Sequence, residues 1–258
     1  MDYVKPKKKL GQHFLRNEAI ARRIASSLSN HGGYQIVLEI GPGTGVLSRY
    51  LMEQQSFSWW GIDVDTESVS YLHKHFPAHK EKILEQDFLQ FNIEEITGNE
   101  KVAIIGNFPY NISSQILFKI LENRDKVTEM VGMFQKEVAQ RIVSGPNGKV
   151  NGILSILCQA FYDVEYLFQV DEHDFHPAPK VKSAVIRFKR NTSEKLDCDE
   201  KVFFSLVKMA FNQRRKTLRN ALKPLNISWE NPLVSIYSGK RAEQLHVVDF
   251  VTLVQAIS

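Results

Sequence analysis

Two short motifs hold the residue types that could do chemistry: Glu39-Ile40-Gly41-Pro42-Gly43-Thr44-Gly45 and Asn107-Phe108-Pro109-Tyr110. In the first, Gly41 and Gly43 can take positive φ and carry no Cβ, so a small molecule can lie against bare backbone. A dinucleotide fingerprint would place its third glycine at position 46, where the chain has Val46. The spacing G-x-G-x-G, preceded by Glu39, suits instead a cofactor without a pyrophosphate, whose cationic amino acid end faces a carboxylate. The second motif suits a planar ring with an exocyclic amine. The lone pair of such an amine is delocalised into the ring, and two acceptors set on its protons return the nitrogen towards tetrahedral geometry. Asn107 can offer its side-chain carbonyl, Phe108 its backbone carbonyl and Tyr110 a face for stacking, while Pro109 has no competing N–H. Together the motifs point to methyl transfer from S-adenosylmethionine to N6 of an adenine, an in-line displacement governed by positioning. The purely structural alternatives are a tight strand-to-helix turn and a strand end with a buried tyrosine.

Further acids fall where such a cofactor needs them. An acid on the second strand, about 20 residues after the glycine turn, binds ribose hydroxyls. Asp63 and Asp65 are the candidates, although Asp65 beside Thr66, the expected helix cap, also reads as a helix N-terminal charge. Asp87 follows the third expected strand and can accept from the adenine amine, with Phe88 covering the ring.

These residues need a scaffold, and the apolar patterning supplies one. Strands are expected at 36–40, 59–64, 82–84, 102–106, 130–134, 164–170 and 184–188. Helices are expected at 44–53, 66–76, 113–121, 136–143 and 153–161, with a loop over Gly145-Pro146-Asn147-Gly148. The alternation predicts an α/β fold, a doubly wound and mostly parallel sheet of the Rossmann-like methyltransferase type. The last two strands are expected to form an antiparallel pair at one edge. A polar linker follows Arg190, and helices at 201–210, 214–222 and 242–257 predict a small all-helical appendage. The domains are accordingly 1–190, binding the cofactor, and 199–258, binding RNA.

Composition narrows the partners. The 258 residues are 43% hydrophobic, enough for a core, and no apolar run approaches the roughly 20 residues of a membrane span. No apolar segment follows the first lysines, so a signal peptide is not expected. Two cysteines, Cys158 and Cys198, make neither a disulfide framework nor a metal cluster, which fits a reducing cytoplasm. The net charge is only +4, but basic residues crowd Lys5–Lys9, Lys180–Arg190 and Arg214–Lys223. Such clusters are the footprint of a polyanion partner, although each alone would read as a solvated face. Lys180, Lys182, Arg214, Arg215, Lys216 and Arg219 are the candidates for gripping RNA backbone, the last four on an expected basic helix.

The chain resembles the KsgA/RsmA-type small-subunit rRNA adenine N6,N6-dimethyltransferases from Lys7 to about Phe250. Six ordered motifs carry the likeness: Lys8–Leu15, Glu39–Gly45, Gln86–Phe88, Asn107–Ser113, Phe175–Ser183 and Phe211–Leu218. The resemblance implies cofactor contacts at His13, Leu15, Gly41, Asp87 and Asn107, and a catalytic role for Asn107. It implies that Tyr110 and Phe175 stack on a base turned out of its helix. The substrate it implies is a pair of adjacent adenosines in the 3′-terminal hairpin loop of 16S rRNA. Each is methylated twice during small-subunit assembly, by a monomer that needs no metal and releases S-adenosylhomocysteine. Three positions depart from the family pattern. His13 stands where Asn is usual, and Phe108 where Leu is common. Gly61 aligns with the ribose-binding Glu, leaving the ribose to Asp63, two residues on along the same strand face, or to a water. The alternatives are a large-subunit rRNA methyltransferase and an rRNA-binding assembly factor without chemistry. The Lys180–Ser183 motif and the expected Asn212–Leu218 basic helix favour the small subunit over the first. Asn107-Phe108-Pro109-Tyr110 argues against the second, whose one support is Gly61.

Overall fold

The structure is a computed structural model that describes residues 3–146 and 151–257. Asn147 and Gly148 of the expected loop lie outside them. Packing divides the chain into two compact units, Met1–Ala139 with Glu165–Arg190, and Gln140–Val164 with Asn191–Ser258. The division is interleaved, where the sequence predicted a single break after residue 190. Residues 140–164 pack with the helical unit.

In chain order the strands are β1 Phe14–Leu15, β2 Ile36–Ile40, β3 Ser58–Asp63, β4 Ile83–Glu85, β5 Val102–Asn107, β6 Val127–Gln135, β7 Tyr162–Val170, β8 Phe175–His176 and β9 Ser183–Arg190. The helices are α1 Glu18–Ala25, α2 Ser48–Met52, α3 Thr66–His75, α4 Glu94–Thr97, α5 Ser113–Glu122, α6 Lys136–Val143, α7 Ile153–Gln159, α8 Glu200–Asn212, α9 Leu218–Ala221, α10 Pro232–Ser235 and α11 Val247–Gln255. Seven strands form one sheet in the order β4-β3-β2-β5-β6-β9-β7. The strands from β4 to β6 run parallel, and β9 is antiparallel to β6. The last two strands therefore lie at one edge, as the sequence predicts, with β9 inserted inside β7.

Strand β2 is buried at all five positions, and Ile36-Val37-Leu38-Glu39-Ile40 accordingly reads as a nearly unbroken apolar run. It pairs with β3 on one side and β5 on the other, so Glu39 lies between Gly61 and Ile105. The carboxyl ends of β2, β3 and β5 thus fall side by side, where open α/β sheets bind ligands. The core of this unit is built from residues such as Ile24, Leu38, Leu51, Leu72, Ile105 and Val131, all at most 1% exposed.

Three local expectations change. The helix expected at 44–53 begins only at Ser48, because Gly43 and Gly45 hold φ of +56° and +77°, outside the right-handed helical region. The cap of α3 is Asp65, not Thr66; its carboxylate accepts from the Glu67 N–H at 3.3 Å. No basic helix runs from 214 to 222. Arg214, Arg215 and Lys216 lie in a turn between α8 and α9. The Leu218 and Arg219 N–H groups donate to Lys240 and Ser238 carbonyls, and these tertiary partners compete with the helical ladder.

In the second unit α8 is capped by Asp199, which accepts from the Lys201 and Val202 N–H groups. Phe203, Leu206, Val207 and Ala210, at helical spacing, bury one face. Among the described residues no helix is long and apolar enough to cross a membrane.

The short loop between α1 and β2 hangs on one buried carboxylate. Glu129 of β6 is 0% exposed and accepts from the Ser29 N–H at 3.0 Å, the Ser29 hydroxyl at 2.8 Å and the His31 N–H at 3.3 Å. Glu129→Ala strands those donors and is expected to cost about 3 kcal/mol in denaturant unfolding, with Glu129→Gln costing less. Equal stability of all three proteins would show that the loop is held otherwise.

Candidate active site

The glycine turn after β2 is braced from below. Asp63, the last residue of β3, accepts the Gly43 N–H at 3.1 Å and the Asp65 N–H at 2.9 Å. Gly41 has φ +67° and open space where a Cβ would stand, so its backbone is bare to the cavity. Gly43 is covered instead, since a Cβ there would meet Phe14 Cε1 at 2.8 Å. Glu39 is 1% exposed and accepts from the Trp59 indole N–H at 2.9 Å. It lines a small recess with Gly41, Phe14 and Asn107. Burial pushes the Glu39 carboxyl up to about 7, and burial likewise pushes Asp63 up to about 6. The site thus holds two buried acids, and among the described residues no cation is paired with either.

Gly61 does not line the cavity. It lies inside β3, paired with Glu39 and Ile83, and the space for its Cβ is filled by the Trp59 ring and Pro42. A side chain there would displace the tryptophan that holds Glu39. Asp63 lines the main cavity, so the strand's acid stands two residues beyond the aligned position. Asp65 turns away to hold the N-terminal segment. Asp87 is half-buried, spends its oxygens on the Leu89 N–H at 2.9 Å and the Gln90 amide at 3.1 Å, and does not line the cavity. It adjoins the cavity through Gln86, whose N–H donates to the Asp63 carbonyl at 3.0 Å. Phe88 is 6% exposed, leaving little of its face for a cofactor ring.

The second motif is anchored by its own phenylalanine. Phe108 is 1% exposed and rests in a slot made by Gly106 and Gly132, which face each other across β5 and β6. A Cβ on Gly106 would stand 2.9 Å from the Phe108 ring, and one on Gly132 would strike it. With the side chain held inside and Phe108 lining the cavity, its peptide carbonyl is the polar group it can offer there. The Pro109 and Tyr110 carbonyls accept from the Ile112 N–H and the Ser113 hydroxyl, both at 3.2 Å. Among the described residues no donor is set on the Phe108 carbonyl. Asn107 ends β5 and donates Nδ2 to the His13 carbonyl at 2.8 Å, which leaves Oδ1 as its acceptor. The Tyr110 hydroxyl meets Ser183 Oγ at 2.5 Å. Burial raises the pKa of the Tyr110 phenol. Phe175 departs from expectation. It is 4% exposed in the hydrophobic core, paired with Leu15 across β1 and β8, and has no free face for a base.

Periodicity missed the strap that closes the site. Residues 7–15 cross the cavity and are fastened at both ends. Lys7 and Gln12 bind the two Asp65 oxygens, Gln12 at 2.9 Å, and β1 pairs with β8. Burial alone would raise the Asp65 carboxyl, but bonds from Gln12, Lys7 and Ser68 outweigh it and lower the pKa. The signal available in sequence was the Lys8–Leu15 motif; its fastening to Asp65 is a tertiary contact that no helical or strand period reveals. His13 and Phe14 line the cavity of about 120 Å³ with Gly41, Gly43, Asp63, Asn107 and Tyr110, whereas Leu15 faces the core and the Glu39 recess. On the far side of Tyr110 and His13 an open groove of about 620 Å³ runs past Lys8, Pro177 and Lys180. Among the described residues no cluster of His, Cys, Asp or Glu could hold a metal.

The expected RNA contacts divide. Lys180 is exposed at the groove, and Lys182 is exposed but paired with Asp171 at 2.8 Å. Arg214 is tied within its own unit to Glu243 at 3.1 Å and the Asn151 carbonyl at 3.2 Å. Arg215, Lys216 and Arg219 are exposed.

The buried acids set a pH dependence. A folded-state pKa above the unfolded value means the native state binds the extra proton, so native stability falls as pH rises through that interval. For Glu39 the interval runs from 4.5 to about 7. Glu39→Gln, which keeps an acceptor for Trp59, is expected to remove roughly 3 kcal/mol of this decline when unfolding is compared at pH 4.5 and 7.5. An unchanged decline would mean that Glu39 is already ionised in the ligand-free protein.

Comparison with known proteins fits this geometry. Residues 4–258 match the family model described as ribosomal RNA adenine dimethylase. The chain is 54% identical to ribosomal RNA small subunit methyltransferase A of Flavobacterium johnsoniae, over all of this chain and 97% of the relative. It is 49% identical to the protein of that name from Bacteroides thetaiotaomicron, over all of this chain and 96% of the relative. Among solved structures, a dimethyladenosine transferase from Plasmodium falciparum superposes with TM-score 0.76 at 24% identity, covering 93% of this chain and 96% of its own. The 23S rRNA methyltransferase ErmE gives 0.71 at 22%, covering 95% and 99%. These two share the fold, an α/β methyltransferase fold, and the sequence match carries the rest: the chain belongs to the ribosomal RNA adenine dimethylase family.

Proposed function

We propose that this protein transfers methyl groups from S-adenosylmethionine to N6 of two adjacent adenosines in the 3′-terminal hairpin loop of 16S rRNA. The product is N6,N6-dimethyladenosine, made as a cytoplasmic monomer acts on the assembling small subunit. The observation that carries the reading is the pair of carbonyl acceptors, Asn107 Oδ1 and the Phe108 carbonyl, held at the end of β5 beside a bare glycine turn. Family membership and full-length relatives named ribosomal RNA small subunit methyltransferase A support the substrate.

The residues present fit the cofactor. Gly41 offers backbone without a Cβ, and Glu39 and Asp63 are buried acids whose ionised forms an ammonium group and ribose hydroxyls would stabilise. Asp63 keeps a second lone pair on each oxygen after bracing the turn. Drug-sized ligands occupy cavities of roughly 300 Å³ or more, so entry requires the strap to lift from Gly43. When bound, S-adenosylmethionine supplies an electrophilic methyl group on sulfonium, whose sulfur keeps the C–S electron pair as the N–C bond forms. In the first transfer Asn107 Oδ1 and the Phe108 carbonyl accept hydrogen bonds from the two amine N–H groups and return the lone pair to nitrogen. Tyr110, fixed by Ser183, stacks on the base. The methylated ammonium is acidic enough to lose its proton to water, so these residues need not act as a base. The absent carboxylate at Gly61 does not count against catalysis, because that position faces Trp59.

The reading is tested by incorporation of labelled methyl groups into unmethylated small subunits, with mass mapping of the product. Two adjacent dimethyladenosines are expected; no incorporation with RNA binding retained would refute transfer. Asn107→Ala is expected to lower the rate about 100-fold or more while RNA binding is retained. Arg215→Ala with Lys216→Ala is expected to flatten the slope of log affinity against log salt by about 1.5. An unchanged slope would remove that turn from the RNA surface.

A further inference from the structure

We infer that His13 is a positioning residue for the base clamp, in addition to any contact with the cofactor; this rests on the proposed transfer to an adenine. Three observations meet at this one residue. Its backbone carbonyl accepts Asn107 Nδ2 at 2.8 Å. An asparagine amide can turn over and exchange its oxygen for its nitrogen. A carbonyl, which only accepts, admits one of the two orientations and so directs Oδ1 at the incoming amine. The imidazole lies against Tyr110, with ring centroids 5.6 Å apart and planes 25° apart. Nδ1 is 2.7 Å from the Pro177 carbonyl, so Nδ1 carries a proton and the ring is held from its far side.

His13 therefore couples three parts of the site. Its backbone locks the acceptor of the reaction. Its ring backs one face of Tyr110 and leaves the other to the base, giving a stack of imidazole, phenol and adenine. Its bond to Pro177 ties this stack to the wall of the open groove, which both His13 and Tyr110 line. The ring stands where the resembled family usually has asparagine, and an asparagine could bind Pro177 but could not back the tyrosine. Because the strap carries His13, the clamp is complete only when the strap is closed at Asp65 and β8.

The test compares His13→Ala, His13→Asn and His13→Phe on unmethylated small subunits. His13→Ala and His13→Asn are expected to lower kcat about tenfold at saturating cofactor, with RNA affinity within twofold of the parent. His13→Phe, which restores a ring against Tyr110, is expected to recover at least half of the loss. In the Tyr110→Ala background, removing the His13 ring should cost less than twofold. A second readout does not need transfer: a hairpin RNA with 2-aminopurine at the target position should show a smaller fluorescence change on binding His13→Ala than on binding the parent. An unchanged kcat with weakened cofactor binding, a Phe variant no better than Ala, or equal fluorescence changes would each overturn the role. Failure of the parent to methylate would refute the transfer reading alone, and the fluorescence comparison would still decide whether His13 supports the stacked base.

Discussion

The site depends on one constraint: two carbonyl oxygens must point out of the end of a buried strand and stay there. Carbonyls at a strand end are free to twist unless a neighbouring side chain is fixed. Here Phe108 supplies the fixing. Its ring drops into a slot that exists because Gly106 and Gly132, opposite each other in β5 and β6, leave the sheet bare at that point. Burial of a phenylalanine is worth roughly 2 to 3 kcal/mol, enough to commit the turn to one orientation.

The rest of the unit serves that geometry. Parallel pairing sets the ends of β2, β3 and β5 beside each other, so the glycine turn, Asp63 and Asn107 converge without any long-range side-chain contact being needed. Burial disfavours the Asp63 charge while the N–H bonds from the turn favour it, and Glu39 remains a buried acid steadied by Trp59. Both sit in an environment that disfavours negative charge until a positively charged partner arrives. The strap adds the last piece by setting His13 between the cofactor cavity and the open groove.

Much of this was legible in the sequence. The glycine turn, the mostly parallel sheet implied by alternation, Asn107-Phe108-Pro109-Tyr110 and the helical character of the last sixty residues follow from local patterning and turn chemistry. What was not legible depends on tertiary packing. Gly61 looked like a lost ligand because alignment by position ignores that Trp59 fills its Cβ space. Phe175 was expected to stack because the family resemblance implies it, yet β1 pairs over it. Arg214 looked like part of a basic helix, but Glu243 and the Asn151 carbonyl claim it. The strap escaped because its fasteners, Lys7 and Gln12 on Asp65, lie more than fifty residues apart in sequence.

The central claim is that two protein acceptors hold the two amine protons of the target base. The direct measurement is binding of a hairpin RNA with adenine at the target position against one with purine, which lacks the amine, in the parent protein and in Asn107→Ala. The account predicts that the parent prefers adenine by roughly tenfold or more, since losing the amine leaves carbonyls unpaired, and that the preference shrinks in the variant. Equal affinity of the parent for both RNAs would contradict it.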